Sequence, residues 1–199
     1  MTERYLAAIA AFDQANSEDP NKEVADGREY PKELLYAQRM TDMQERYAPD
    51  ASEAVKLAVR AQHIQRWKSP RSDFPMDKPG YMLWRTGLYK FHAETAGNLM
   101  KSVGYDEEMI ERVKTIVSKK GLKTNPETQM MEDVVDLVFI EHYMVAFATS
   151  HPEYDEAKWI LIIKKTWNKM SEEAHAFALA GKIKLPEALI PLILKAVQA

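Results

Sequence analysis

The sequence predicts an all-α fold, a single-domain bundle of about eight or nine helices. Three observations support this. Only 7 of the 199 residues are glycine, while Ala, Leu, Met, Glu and Lys, which all favour helices, are plentiful. Apolar positions recur at helical spacing, as in the stripe of Val55, Val59, His63 and Trp67. Runs of alternating apolar and polar residues with the length of a strand are absent.

Capping residues and helix breakers set the expected boundaries. Gly104 ends one helix and Asp106 caps the next, while Pro70, Pro75 and Pro79 make the segment 68–80 a loop. That loop is either the wall of a site or a solvated connector. The predicted helices cover residues 3–15, 31–47, 52–67, 81–103, 106–120, 125–148, 153–170, 171–180 and 186–197. We divide the chain into an N-terminal helix with a polar connector (1–30), a helical core (31–150) and C-terminal helices (151–199).

Composition excludes several classes of protein. The chain has no cysteine, which rules out disulfides, zinc ribbons, thiol catalysis and iron–sulfur ligation. Apolar residues make up 46% and charged residues 29%, as in soluble globular proteins. No apolar run is long enough to span a bilayer, and we interpret the apolar N-terminal segment as an amphipathic helix rather than a signal peptide. We therefore expect a cytoplasmic protein with no membrane partner.

The net charge of −3 argues against a protein that binds mainly nucleic-acid backbone, although a local basic patch stays open. Arginine forks suit phosphate oxygens, and aromatic rings suit a stacked base. We predict that a phosphorylated ligand, such as a nucleotide, binds in a pocket. Its candidate residues are Gln62, Arg66, Arg71, Trp84, Arg85, Lys119 and Lys120. The alternative is that these are surface cations and core tryptophans.

Three polar residues fall on apolar faces of different predicted helices: His63, His92 and Asp133. A buried aspartate is costly unless it is paired or binds a metal. Two imidazoles and a carboxylate are enough to begin a divalent-metal site, with Mn, Ni, Co, Mg, Fe or Zn as candidates. The alternative is that each histidine is an ordinary hydrogen-bonded core residue.

The order of these motifs over residues 36–143 resembles the HD superfamily of helical metal-dependent phosphohydrolases. The first histidine motif is similar to that family's His-Asp helix, and the later motifs resemble its second histidine helix, its linker helix and the segment with the last metal aspartate. The matching segments are residues 58–66, 91–96, 104–113 and 129–137. The resemblance implies an HD-like core, a metal at His63, His92 and Asp133, and Glu132 and Asp136 as catalytic carboxylates.

The chain departs from the HD pattern at two places. Ile64 stands where the family has an aspartate after His63. No histidine precedes His63, and Tyr36 or Arg39 occupies the position of the family's first histidine. Glu132, Asp136 or Glu94 could supply the missing carboxylate, and loss of the metal is the alternative.

Nearly the whole chain also resembles the DUF4202 family of uncharacterised proteins. The segments that carry this resemblance are residues 60–67, 80–85 and 165–171. We expect a divergent HD-like phosphohydrolase acting on a nucleotide or another phosphorylated small molecule. The alternative is an inactive helical module that binds a nucleotide, RNA or a protein partner through the basic pocket. A homodimer is a further expectation.

Overall fold

The computed structural model describes residues 2–198 and confirms the all-α class. These residues form ten α-helices and one two-stranded hairpin. The chain divides into two compact units, an N-terminal unit that ends at Met131 and a C-terminal unit that begins at Glu132. The predicted division at residues 30 and 150 stays a prediction. No helix within the described residues is long and apolar enough to cross a membrane.

The N-terminal unit is built from five helices and the first part of a sixth. Side-chain oxygens of Thr2, Ser52, Asp77 and Asp106 accept backbone N–H bonds in the first turns of their helices, which fixes where those helices start. The helices are α1 (Glu3–Ser17), α2 (Lys32–Tyr47), α3 (Glu53–Ala61), α4 (Lys78–Ser102), α5 (Glu107–Val117) and α6 (Pro126–Val138). Helix α3 lies at the centre of this unit and packs against α1, α2 and α5.

A β-hairpin occupies part of the segment that we predicted as a polar connector. Strands β1 (Lys22–Ala25) and β2 (Arg28–Pro31) pair antiparallel, and Asp26 and Gly27 join them with positive φ angles of 48° and 74°. A two-residue turn of this kind favours Asp-Gly because both residues tolerate the left-handed region. The Asp-Gly pair was therefore the signal that the sequence analysis missed.

Helix α3 ends at Ala61, six residues before the predicted end, so His63 and Trp67 do not continue the Val55–Val59 stripe. Beyond the end of the helix, Gln65 adopts a left-handed conformation, with φ 51°. The Gln65 amide donates to the side-chain oxygen of Asn16 at 2.9 Å, which stabilises this turn. A 3₁₀ turn follows at Arg66–Lys68.

Helix α4 begins at Lys78, three residues before the predicted start. Pro79 fits there because the first turn of a helix needs no N–H donor. Gly80 allows the chain to approach itself closely, since a Cβ at this position would lie 2.1 Å from the Pro75 carbonyl oxygen. The loop before α4 contains a second 3₁₀ turn, Arg71–Asp73.

The C-terminal unit contains the rest of α6 and four further helices. A π-helical turn at Phe139–Tyr143 interrupts what we predicted as one helix over residues 125–148. The later helices are α7 (Met144–Thr149), α8 (Glu156–Trp167), α9 (Glu172–Leu179) and α10 (Ile190–Gln198), and α8 packs against α10. Glu187–Leu189 forms a 3₁₀ turn before α10.

Candidate functional site

Two histidines, one glutamate and one arginine form a polar cluster inside the N-terminal unit. We call Glu33, His63, Arg66 and His92 the imidazole cluster. The ring centroids of His63 and His92 are 5.9 Å apart. Glu33 Oε2 lies 3.4 Å from His63 Nδ1, and Arg66 Nη1 lies 3.1 Å from His63 Nε2. The structure thus brings together two of the three predicted metal ligands and one predicted phosphate ligand.

The end of α1 and the residues that follow it position this cluster. Asp19, which is 1% exposed, accepts the backbone N–H of Glu33 at 2.9 Å and thereby caps the start of α2. Asn16, also 1% exposed, accepts the N–H of Gln65. The two acceptors hold Glu33 on one side of His63 and the Arg66 turn on the other.

His63 packs face to face with Tyr36, with ring centroids 4.1 Å apart and an angle of 16° between the planes. The Tyr36 hydroxyl donates to Gln62 Oε1 at 3.0 Å. Gln62 is buried, so this predicted ligand residue supports the tyrosine that orients His63. The ring of His63 is therefore positioned by stacking on Tyr36 and by the contacts of its nitrogens with Glu33 and Arg66.

His92 is buried, and a backbone carbonyl fixes its tautomer. Its Nδ1 lies 2.8 Å from the carbonyl oxygen of Ile64. Because a carbonyl only accepts, Nδ1 carries the proton and donates, so the neutral ring has a lone pair on Nε2. This Nε2 atom is buried and has no hydrogen-bond partner within residues 2–198.

The two imidazoles of the cluster are neutral at physiological pH, and Glu33 is only partly charged. Burial raises the pKa of Glu33 to about 7, an effect that Arg66 opposes and Asp19 reinforces. Burial, reinforced by the neighbouring His63, lowers the pKa of His92 to about 3. The pKa of His63 falls well below its ordinary value because of burial and the positive charges of Arg66, Lys119 and Lys32. The site therefore contains two neutral imidazoles and a carboxyl group able to exchange a proton near pH 7.

Several of the predicted phosphate ligands lie beside aromatic rings of α4. The guanidinium of Arg66 lies 5.2 Å from the ring centroid of Trp84. Arg85 donates to the hydroxyl of Tyr89 at 2.7 Å, and Lys119 Nζ is 5.8 Å from the centroid of that ring. We call Arg66, Arg85 and Lys119 the basic rim. Lys120 lines an open cleft that Tyr89 also borders.

Arg71 bonds to backbone carbonyls of its own loop, and its role as a phosphate ligand stays a prediction. Its guanidinium donates to the carbonyl oxygens of Phe74 at 3.0 Å and Asp77 at 3.3 Å. These bonds brace the loop that leads into α4. The indole N–H of Trp84 similarly donates to the Ser69 carbonyl at 2.8 Å, which fastens α4 to the same loop.

The predicted carboxylates of the C-terminal unit belong to a second network. Asp133 accepts bonds from the backbone N–H and the hydroxyl of Ser171, at 2.8 and 2.6 Å. Lys169 Nζ donates to Glu132 at 2.9 Å and to Asp136 at 2.5 Å. Burial lowers the pKa of Lys169, but Asp136 and Glu132 outweigh that effect and raise it. The three carboxylates thus hold the connection between α8 and α9 against α6.

Within the described residues, no group of three or more His, Asp or Glu side chains is arranged to hold a metal ion. At His63 the ring nitrogens meet Arg66 and Glu33, and Asp133 is bonded to Ser171. The divalent-metal site of His63, His92 and Asp133 therefore stays a prediction, and no chemical step below is assigned to a metal.

Glu33 is the residue that sequence reasoning missed. Tyr36, Met40 and Met43 form the buried stripe of α2, and position 33 falls on the same face at helical spacing. A glutamate on an apolar face, one turn before the tyrosine of interest, was the available signal. It was overlooked because an acidic residue in a first turn is also ordinary helix capping.

Comparison with known proteins gives one match. The family model described as "Domain of unknown function (DUF4202)" matches residues 6–193. No curated protein and no solved structure matches the chain. The match covers nearly the whole chain, including both the imidazole cluster and the carboxylate network.

We expect Glu33→Gln to increase stability more at pH 7 and above than at pH 4.5. The carboxyl titrates near 4.5 in the unfolded chain and at about 7 in the folded one, so folding requires proton uptake between these values. The contribution of Glu33 to the stability of the unmodified protein consequently falls through this window, whereas glutamine does not titrate. Urea unfolding across this range should show the variant's advantage growing by about 2–3 kcal/mol. Glu45→Gln, an exposed control, should show a flat difference, and a flat difference for Glu33→Gln would refute the assignment.

We expect Lys169→Met to destabilise the protein by about 1–3 kcal/mol, because it leaves Glu132 and Asp136 buried without this cation. Lys169→Arg should lower the free energy of unfolding less than Lys169→Met, since arginine keeps the positive charge. Lys165→Met removes an exposed lysine from α8 and serves as the matched control. Chemical denaturation gives the three free energies of unfolding. A loss for Lys169→Met no larger than that of the control would mean that the network contributes little.

Proposed function

We propose that this chain, which belongs to the DUF4202 family, binds a phosphorylated small molecule at the imidazole cluster. The observation that carries the proposal is Arg66, whose guanidinium lies between His63 and the ring of Trp84. An arginine fork held on an aromatic face is well suited to phosphate oxygens, because its planar donors pair with two oxygens at once.

The local charge supports an anionic ligand. The chain as a whole is negative at −3, yet Arg66, Lys119 and Lys32 all exert their positive charge on His63. The two imidazoles stay neutral, and Glu33 carries at most a partial charge near pH 7. A phosphate group would compensate the excess of positive charge at this place.

The rings of Trp84 and Tyr89 favour a nucleotide or another ligand with an aromatic part. Both rings lie on α4 and both have arginine beside them, which is an arrangement that binds stacked bases in other proteins. RNA and a protein partner are the other outcomes that a binding screen would reveal. The HD-like core implied by sequence resemblance stays a prediction.

Hydrolysis of the bound phosphate is the second candidate function, and Glu33 favours it. A carboxyl group with a pKa of about 7, placed 3.4 Å from His63, has the proton affinity of an efficient general base at neutral pH. Glu33 would take a proton from the water that attacks phosphorus, the P–O ester bond would break, and the alcohol would leave with the proton that Glu33 returns, while Arg66 neutralises the phosphate oxygens. The sequence resemblance adds a divalent metal to this proposal.

The binding proposal predicts that phosphate esters raise the melting temperature of the protein in EDTA. Arg66→Gln should weaken their affinity at least about tenfold, since a lost charge-assisted pair is worth 1.5–3 kcal/mol. Calorimetric titration with AMP and with n-propyl phosphate measures this. Arg28→Gln, which removes an exposed arginine from the hairpin, should bind as the unmodified protein does. Equal affinities for Arg66→Gln and the control would refute the proposal.

The hydrolysis candidate predicts phosphate release from a nucleotide panel when Mn²⁺, Co²⁺, Ni²⁺ or Mg²⁺ is added. Glu33→Gln should lower the rate about 10²-fold, the usual contribution of a general base. Affinity measured in EDTA should change far less in this variant. Ligand binding without any release above the protein-free blank would leave the chain as a binding module.

A further inference from the structure

We propose that the phosphorylated ligand carries a neutral hydroxyl group, and that His92 Nε2 accepts a hydrogen bond from it. The ligand class is then a phosphorylated polyol or sugar, including the sugar of a nucleotide, rather than a bare phosphate. This inference rests on the proposed binding of a phosphate by Arg66. The inference adds a hydroxyl group, bound at His92, to the phosphate group that the ligand places at Arg66.

The geometry of His92 fixes what its Nε2 atom can do. Nδ1 lies 2.8 Å from the Ile64 carbonyl oxygen, so it holds the ring proton. The opposite nitrogen is an acceptor with a lone pair, it is buried, and it has no partner within the described residues. The side chain as a whole is 3% exposed. Burying a polar atom without a partner is unfavourable, so a donor at this place gains affinity.

The surroundings of His92 contain further acceptors. Glu33 offers carboxyl oxygens, and His63 lies 5.9 Å away with its nitrogens beside Arg66 and Glu33. A phosphate oxygen placed at His92 Nε2 would meet the lone pair of that nitrogen instead of a donor. The phosphate therefore belongs with Arg66 and the basic rim, and the group that meets His92 has to be an O–H or N–H donor.

The charged side chains near His92 favour a hydroxyl over an ammonium group as the donor. Arg66, Lys119 and Lys32 all act on His63, and Arg66 also acts on His92. These cations face the cluster from α2, from the turn after α3 and from the segment after α5. The opposing carboxyl groups that act on it are Glu33 and Asp19. A ligand ammonium would add a positive charge to this surplus, whereas a hydroxyl donates without a charge.

Three ligands of equal carbon number separate the possibilities: sn-glycerol 3-phosphate, n-propyl phosphate and 3-aminopropyl phosphate. Titration calorimetry in EDTA should give glycerol 3-phosphate an affinity at least about tenfold above that of n-propyl phosphate. The variant His92→Asn keeps an amide N–H at the position of Nδ1 to donate to Ile64, but lacks an acceptor at the position of Nε2. It should reduce the preference for glycerol 3-phosphate over n-propyl phosphate to less than about twofold.

A measurement on the unmodified protein covers the case in which His92→Asn does not fold. The ¹⁵N resonance of His92 Nε2 should move upfield on adding glycerol 3-phosphate, because the lone pair accepts a hydrogen bond. It should stay in place on adding n-propyl phosphate.

The outcomes separate this inference from the proposed function. Failure of all three ligands to bind would refute the phosphate site itself. Equal affinities for glycerol 3-phosphate and n-propyl phosphate would keep that site and overturn the role of His92. The same holds if 3-aminopropyl phosphate binds tightest or if His92→Asn keeps the preference. Binding that appears only when Mn²⁺ replaces EDTA would assign the lone pair to a metal and also overturn the inference.

Discussion

Two buried acceptors at the end of α1 determine the geometry on which the candidate site depends. Asp19 holds the amide of Glu33, and Asn16 holds the amide of Gln65. Both side chains are almost fully buried, where a hydrogen bond to an otherwise unpaired backbone amide has its largest effect. The first bond sets where α2 starts, and the second stabilises a left-handed residue that ends the turn carrying His63. Without them, neither the carboxyl group nor the imidazole has a fixed place.

The imidazole cluster brings a carboxyl group and two imidazoles close together, but folding favours the neutral forms of these groups. Unfolded, its two histidines would bind protons below pH 6.5 and its glutamate would release one above 4.5. Folded, both imidazoles lose their protons and the glutamate keeps its own. Between these pH values the folded cluster binds one proton against two in the unfolded chain, so acid disfavours folding. Because the imidazoles are neutral and Glu33 is at most partly charged, the positive charges of Arg66, Lys119 and Lys32 act on His63 with little opposition from the cluster itself, and this favours the anionic ligand that we propose.

Local signals in the sequence predicted the helices and singled out His63, His92 and Arg66, but they did not predict the path of the backbone that brings these side chains together. Ser52 and Asp106 mark helix starts because a side-chain oxygen next to an apolar periodic segment has one main structural use. His63 was placed on a continuing helix because its spacing from Val55 and Val59 is helical. The left-handed Gln65 that ends the helical register depends on Asn16, which is 49 residues away in the chain. The periodicity of residues 55–67 therefore gives no indication of this hydrogen bond or of the left-handed conformation of Gln65.

The carboxylates of α6 show a second limit of sequence analysis, which concerns the identity of their partners. They are Glu132, Asp133 and Asp136. The apolar segment around Asp133 indicated that this aspartate is buried, and all three carboxylates are at most 2% exposed. Their partners, Lys169 and Ser171, come from a connection whose sequence reads as a helix end followed by a helix cap. Burial of a carboxylate is unfavourable unless the carboxylate has a partner, so burial predicts that a partner exists. The sequence does not show whether that partner is a metal, a lysine or a backbone amide.

Position 64 shows why a missing motif residue says little by itself about chemistry. The HD pattern has an aspartate where this chain has Ile64, and the isoleucine side chain is fully buried. Its carbonyl oxygen, which every residue possesses, is the group that accepts the bond from His92 Nδ1. The identity of the side chain at this position therefore follows from packing, while the tautomer of His92 follows from the path of the backbone. The lone pair of His92 Nε2 is therefore set by the backbone carbonyl of Ile64, and it does not depend on which side chain stands at position 64.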